Sequence, residues 1–190
     1  MCASFMIVRV LLTIALIASP LLASASELLA RADTRMMPSA PEPALMEGLL
    51  EITQVLVNKG ERRLYLLSGD EPVRQYRISL GDNPVGHKLY EGDERTPEGD
   101  YVLDWRNASS DFYKSIHISY PSPRDRELAE AWGLDPGGSI MIHGLPNNAG
   151  DMAFAYTGLD WTNGCIAVSN EAMDEIWQLV QNGTPIRIVP

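Results

Sequence analysis

Short runs of alternating hydrophobic and polar residues dominate the chain after residue 50. Residues 52–57 (Ile-Thr-Gln-Val-Leu-Val) and 63–67 (Arg-Leu-Tyr-Leu-Leu) flank an Asn-Lys-Gly turn signal, and together they predict a β-hairpin. Residues 73–80 alternate apolar and polar side chains, as a half-buried strand does. Strand-like runs also predict strands at residues 101–105, 115–119, 139–143, 166–168 and 184–189.

Helical signals interrupt these strands at two places. Residues 171–181 carry apolar side chains at i, i+3, i+4 and i+7 (Met173, Ile176, Trp177 and Val180), and Ser169 or Asn170 can cap this helix. Residues 124–132 follow two prolines and end at a glycine, which predicts a second, shorter helix. The pattern as a whole predicts a mostly β (α+β) domain with one or two helices.

The N-terminal residues have the plan of a secretory signal peptide. In residues 1–25, Arg9 precedes an apolar run, and an Ala-Ser-Ala cleavage signal follows at positions 23–25. An uncleaved membrane anchor is the alternative, but Pro20 interrupts the apolar run, which is short for a bilayer span. Residues 26–48 are rich in proline, alanine and serine and predict a flexible linker. We therefore expect an exported protein, in the periplasm or cell wall, with a folded domain at residues 49–190.

The charge composition limits the classes of molecule that the protein is expected to bind. The 190 residues include 15 Lys and Arg against 25 Asp and Glu, a net charge of −10. Such an acidic chain lacks the basic patches that bind nucleic-acid phosphates or anionic lipids, so we expect no nucleic-acid partner and no membrane binding by the mature domain. Cysteine and histidine do not occur at zinc-ligand spacing, and we expect no metal and no cofactor.

The number of cysteines makes one thiol a candidate functional group. Cys2 would leave with the signal peptide, so Cys165 would be the single cysteine of an exported protein. It follows Gly164, and His143 ends a predicted strand upstream. A neighbouring imidazole could take the proton from this thiol, and the amides of Gly164 and Cys165 could form an oxyanion hole. The alternative is a buried cysteine that acts only as a small apolar residue.

These residues also carry a family resemblance. The chain from about residue 51 to 189 resembles the YkuD-type catalytic domain of L,D-transpeptidases. The resemblance rests on a Thr-Pro-x-Gly segment at 96–99, on His143-Gly144, and on the run Thr162-Asn163-Gly164-Cys165-Ile166-Ala167-Val168-Ser169-Asn170. It implies a single YkuD-like β-sandwich or barrel domain that works without a cofactor.

The resemblance further implies a reaction on peptidoglycan stem tetrapeptides. Cys165 would attack the carbonyl at the L-centre of the diamino acid at stem position three, D-alanine would leave, and a thioacyl-enzyme would form. His143 would act as base and then acid, oriented by the backbone carbonyl of Gly144. An amine acceptor would give a cross-link or attach a wall-anchored lipoprotein. Water as acceptor would make the enzyme a carboxypeptidase or hydrolase. A third hypothesis is a peptidoglycan-binding module without catalysis.

Two departures from the family pattern bear on substrate preference. Asn163 stands where many members have histidine, and Ala167 stands where many have arginine. Candidate substrate-binding residues are Asn163, Thr162 and His117. His117 lies on the strand face opposite its isoleucine neighbours, where it could contact substrate or serve a structural role. We expect residues 144–160 to form a loop that acts as a lid over the cleft. We also expect His87 to be a solvated residue.

Overall fold

The structure is a computed structural model, and it describes residues 50–156 and 158–190. The predicted signal peptide at 1–25 and linker at 26–48 lie outside these described residues. Strands, two α-helices and one 3-10 helix follow each other in the described part. The strands are β1 (Gln54–Asn58), β2 (Arg63–Ser68), β3 (Glu71–Arg77), β4 (Gly99–Ser110), β5 (Tyr113–Ile118), β6 (Met141–His143), β7 (Ile166–Ala167) and β8 (Thr184–Val189). The helices are α1 (Pro123–Ala131), the 3-10 helix (Gly150–Tyr156) and α2 (Asn170–Leu179).

All eight strands form one mixed sheet in the order β3-β2-β1-β8-β4-β5-β6-β7. The pairs β1–β8 and β6–β7 are parallel, and the other neighbours are antiparallel. The sheet is open rather than a closed barrel, and the mostly β prediction with one or two helices is confirmed. The segment after β3 reaches the far edge, where Ser79 bridges Ala167 and Gly81 bridges Thr162.

The core lies where the apolar pattern predicts it. Alternate residues of the first hairpin are fully buried, and α2 places Met173 and Ile176 against the sheet. Ser169 caps α2 by accepting a hydrogen bond from the Ala172 amide at 3.2 Å, as the sequence predicts. None of the helices in the described residues is long and apolar enough to cross a membrane.

The long loop between β3 and β4 is packed rather than solvated. Lys59 is buried and donates from Nζ to Glu98 at 2.8 Å, and Lys88 is buried against Asp93 at 2.8 Å. The interpretation of His87 as a solvated residue is wrong. Its Nδ1 accepts the Glu98 amide at 3.0 Å, and its Nε2 lies 3.2 Å from Asp125. The backbone of this loop at Arg95 packs against Gly164, so the anchored loop supports the Gly-Cys turn.

Candidate active site

Strand register brings the predicted nucleophile and base onto one face of the sheet. In the parallel pair β6–β7, Ile142 lies opposite Ile166 and His143 lies opposite Ala167. Both isoleucines are fully buried in the core. Because strand side chains alternate between faces, His143 and Cys165 must both point to the opposite face. They therefore lie diagonally adjacent on neighbouring strands.

His143 and Cys165 line the same cleft, a cavity of about 340 Å³. Cys165 is half-buried and thus accessible from this cavity, whereas His143 is only 4% exposed. The β4–β5 hairpin forms one wall, and the segment before β7 forms the other. The remaining lining residues are Asn107, Ser110, Asp111, Phe112, Ser115, Ser139, Met141, Trp161, Thr162 and Asn163.

The tautomer of His143 follows from its backbone contact. Nδ1 lies 2.6 Å from the carbonyl oxygen of Gly144. A carbonyl can only accept, so Nδ1 carries the proton and Nε2 keeps its lone pair in the neutral ring. Burial lowers the pKa of His143 below its usual value, although the hydrogen bond to Gly144 acts in the opposite direction. This contact is the one that the predicted orienting role of Gly144 requires, and the roles of Gly144 and His143 stay predictions.

The surroundings of Cys165 favour the protonated thiol over the thiolate. Burial raises the pKa of Cys165, while a backbone hydrogen bond from Met141 and the positive charge of Lys88 act in the opposite direction. Sγ donates weakly to the carbonyl oxygen of Ser139 at 3.6 Å. Burial of the two groups thus favours a neutral thiol beside a neutral imidazole, a pair that would pass its proton from sulfur to nitrogen during nucleophilic attack.

Thr162 closes the turn that presents Cys165. Its buried Oγ1 donates to the carbonyl oxygen of Cys165 at 2.7 Å and accepts from the Gly164 amide at 3.2 Å. Gly164 has φ of +119°, and a Cβ there would lie 2.6 Å from the carbonyl oxygen of Arg95. Glycine is therefore required at this position by both conformation and space. The hydroxyl of Thr162, a candidate substrate contact from the sequence, is engaged within the turn.

The two predicted oxyanion donors differ in availability. The Gly164 amide is already donated to Thr162. The Cys165 amide makes no hydrogen bond to any residue that the structure describes. Asn163 is exposed at the mouth of the cleft, where a substrate can reach its side chain. The Cys165 amide is therefore the stronger candidate for stabilising an oxyanion, and both assignments stay predictions.

His117 lies on β5 beside the cleft, but it is not one of the residues that line the cleft. It stands opposite Met141 in the β5–β6 register, on the same face as Cys165. Its Nδ1 is 2.7 Å from Asp104 Oδ1, and its ring stacks on Trp105 with centroids 4.7 Å apart. The structure thus gives His117 fixed polar and aromatic neighbours, and its substrate contact stays a prediction.

The β4–β5 hairpin tip is a site element that sequence reasoning missed. Phe112 covers His143 with ring centroids 4.7 Å apart, and the Gly144 amide donates to the Phe112 carbonyl at 3.1 Å. Asn147 holds the tip from the other side, accepting the Tyr113 amide at 2.9 Å. The aromatic pair Phe112-Tyr113 next to a predicted strand was the available signal. The predicted lid contains the 3-10 helix, and its movement stays a prediction.

Comparison with known proteins fits this geometry. Residues 52–188 match the YkuD family, described as the L,D-transpeptidase catalytic domain. The Escherichia coli K12 protein YafK, a candidate L,D-transpeptidase by its name, is 31% identical over 133 residues, which cover 66% of this chain and 46% of YafK. The crystal structure of the helical cell shape determining protein Pgp2 from Campylobacter jejuni is 28% identical with a TM-score of 0.55, covering 71% of this chain and 46% of Pgp2. This chain thus spans about half the length of the relatives that it matches.

Proposed function

The chain belongs to the YkuD family of L,D-transpeptidase catalytic domains, and we propose that it is an exported cysteine acyltransferase acting on peptidoglycan stem tetrapeptides. One observation carries this proposal. A cleft-facing thiol at Cys165 lies diagonally next to His143, whose Nδ1 proton is held by Gly144 so that Nε2 is left as a base.

Acylation follows from these protonation states. The Cys165 thiol gives its proton to Nε2 of His143 while sulfur forms a bond to the carbonyl carbon at stem position three. The Cys165 amide donates to the developing oxyanion. The tetrahedral intermediate then collapses, the bond to the D-alanine nitrogen breaks, and His143 returns the proton to that nitrogen. The products are a thioester on Cys165 and free D-alanine.

The acceptor decides what the enzyme makes. An incoming amine loses its proton to His143 as it attacks the thioester, the carbon–sulfur bond breaks, and His143 returns the proton to the sulfur of Cys165. The product is a 3–3 cross-link or an amide to a wall-anchored lipoprotein. Water in the same position gives stem trimming or release of an anchored protein. Asn163 at the exposed mouth of the cleft, and Ala167 without the arginine charge common in the family, support keeping water as an acceptor.

Formation of the thioester tests the first step. Purified protein is incubated with a stem tetrapeptide, and intact mass spectrometry follows the adduct. We expect the mass of the tetrapeptide minus D-alanine on the wild-type protein and no adduct on Cys165→Ala, whose thermal denaturation should match that of the wild type. An adduct that persists on Cys165→Ala would remove the proposal.

Product analysis separates the acceptors. After incubation with purified muropeptides, dimers indicate transpeptidation, and trimmed monomers indicate hydrolysis. Muropeptide binding without either product would favour a binding module instead. Export is tested separately, by N-terminal sequencing of the protein from the cell envelope. We expect a mature chain that begins near Ser26, and an intact N-terminus in the cytoplasmic fraction would contradict export.

A further inference from the structure

A second polar constellation lies beside the cleft, where β4 bulges against β5. Leu103 pairs with Ile118 and Arg106 pairs with Ile116, so two residues of β4, Asp104 and Trp105, face one residue of β5. Such a bulge redirects side chains locally and is common next to functional sites. Here both side chains of the bulge are directed onto His117, one as a hydrogen-bond partner and one as a stacked ring.

The three side chains of this constellation, Asp104, His117 and Trp105, can each interact favourably with a cation. Asp104 is a carboxylate with a side chain that is 41% exposed. Its Oδ1 lies 2.7 Å from Nδ1 of His117 and accepts the proton there, so Nε2 of a singly protonated ring is left as a further acceptor. Trp105 is 44% exposed and offers a π surface. The carboxylate of Asp104 attracts a primary ammonium, which can donate hydrogen bonds to both acceptors.

The position of the constellation relative to Cys165 fixes what can reach it. His117 stands opposite Met141, and Met141 precedes the β6 residue that pairs with Ile166, so His117, Met141 and Cys165 lie in one row across the sheet. Two strand spacings separate the ends of this row, about 9–10 Å. Met141 lies between them as an apolar floor.

We propose that Asp104 and His117, supported by Trp105, bind the distal ammonium of the diamino acid at position three of the donor stem. The inference rests on the proposed function. Six single bonds separate the attacked carbonyl carbon from that nitrogen, which gives a reach of roughly 7 Å when extended. The carbonyl carbon lies about 3 Å from the sulfur and the ammonium about 3 Å from its acceptors, so the side chain is long enough to cross the row without being fully extended. The methylene groups of the diamino acid then cross Met141.

The geometry excludes the acceptor amine as the ligand of this site. An attacking amine must come within about 3.5 Å of the thioester carbonyl. A nitrogen bound at His117 is held a strand farther away and cannot attack. Asp104 and His117 are therefore specificity-determining residues for the donor, and lysine and diaminopimelate share the ammonium that they recognise.

The test compares two donors that differ only in this nitrogen. Stem tetrapeptides with L-lysine or L-norleucine at position three are incubated with the full-length mature protein, and intact mass gives the second-order rate constant of acylation for each. We expect a lysine-to-norleucine ratio of about five to ten for the wild type, the range of a half-exposed charged hydrogen bond. The ratio should fall to about one in Asp104→Asn and in His117→Phe, which keeps the ring stacked on Trp105.

Asp100→Asn is the matched control, because Asp100 lies on the same strand, makes the same change in net charge, and pairs with Arg187. This variant should keep the wild-type ratio. A wild-type ratio near one, or an Asp104→Asn ratio equal to that of the wild type, would overturn the inference while acylation itself still supports the proposed function. Failure of the wild type to form an adduct with either peptide would overturn both.

Discussion

Removing the hydroxyl of Thr162 is the most direct perturbation of the site that leaves its chemistry in place. Thr162→Val keeps the shape of the side chain and deletes one oxygen. That oxygen donates to the Cys165 carbonyl at 2.7 Å and accepts the Gly164 amide at 3.2 Å. The backbone of Thr162 remains fixed, because its carbonyl accepts the Asp82 amide at 3.0 Å. The change therefore loosens the turn and leaves its anchor intact.

The cost can be worked out from these two bonds. Gly164 is buried, so its unpaired amide should cost about 1–3 kcal/mol, and the lost bond to the Cys165 carbonyl should cost about 1 kcal/mol. The free energy of unfolding should fall by about 2–4 kcal/mol, less than the 5–15 kcal/mol typical of a folded domain. The acylation rate should fall by about 10- to 100-fold, since small displacements of a nucleophile are expensive.

Urea denaturation and acylation kinetics measure both effects. Thr162→Ser is the matched control, because it keeps the hydroxyl and removes only a buried methyl group, worth about 1 kcal/mol. We expect the serine variant to acylate within about threefold of the wild-type rate. Equal acylation rates in the serine and valine variants would refute the assignment of the hydroxyl as the holder of the turn, whatever their stabilities.

Further predictions concern protonation, backbone conformation and buried charge. Because burial raises the pKa of Cys165, its alkylation by iodoacetamide should be slow at pH 7 and rise about tenfold per pH unit toward pH 9, and a rate already at its plateau at pH 7 would contradict this. Burial lowers the pKa of His143, so the unfolded chain binds more protons below pH 6.5 and the free energy of unfolding should decrease as the pH falls through that value; an increase in urea titrations between pH 7 and 5 would show the sign to be wrong. Gly164→Ala should lower the melting temperature and abolish acylation, because its Cβ would lie 2.6 Å from a backbone carbonyl at φ of +119°, and a variant as stable and active as the wild type would show that the turn relaxes. Glu98→Gln should cost about 1–3 kcal/mol in urea denaturation at pH 7, because it leaves the buried Lys59 ammonium without its carboxylate, and no loss would mean that the carbonyl acceptors suffice.

The sequence predicts best those elements that are stabilised by residues close to one another in the chain. The β1–β2 hairpin and α2 both follow from periodicity, turn residues and a cap, and both occur within a few residues of their predicted bounds. Strand β4 was predicted only as 101–105, yet it runs to Ser110. Its second half, residues 106–110, is polar with no fully buried side chain, and it is held in place by pairing with β5. A polar strand that depends on a distant partner leaves no periodic signal in the sequence.

The loop between β3 and β4 shows that the sequence also does not predict which charged residues are buried. Its glycines, aspartates and prolines predict a loop, and they do not reveal that Lys88 within it and Lys59, which packs against it, are both buried. Lys59 and Lys88 are buried because carboxylates and carbonyl oxygens from distant parts of the chain surround them. Burial of a charge depends on such partners, which sequence separation does not reveal. His87 was misinterpreted for the same reason.

The pairing of His143 with Cys165 required one fact that the sequence does not contain, the register of β6 against β7. A shift of one residue would turn Cys165 into the core and leave Ile166 facing the cleft. The buried Ile142 and Ile166 oppose that shift, because it would expose an isoleucine side chain at a cost of about 2 kcal/mol and bury a thiol in its place. The buried isoleucines next to His143 and Cys165 therefore set the geometry of the candidate site. The same logic places His117 in the row with Cys165, since Ile116 pairs with Ile142 in the core.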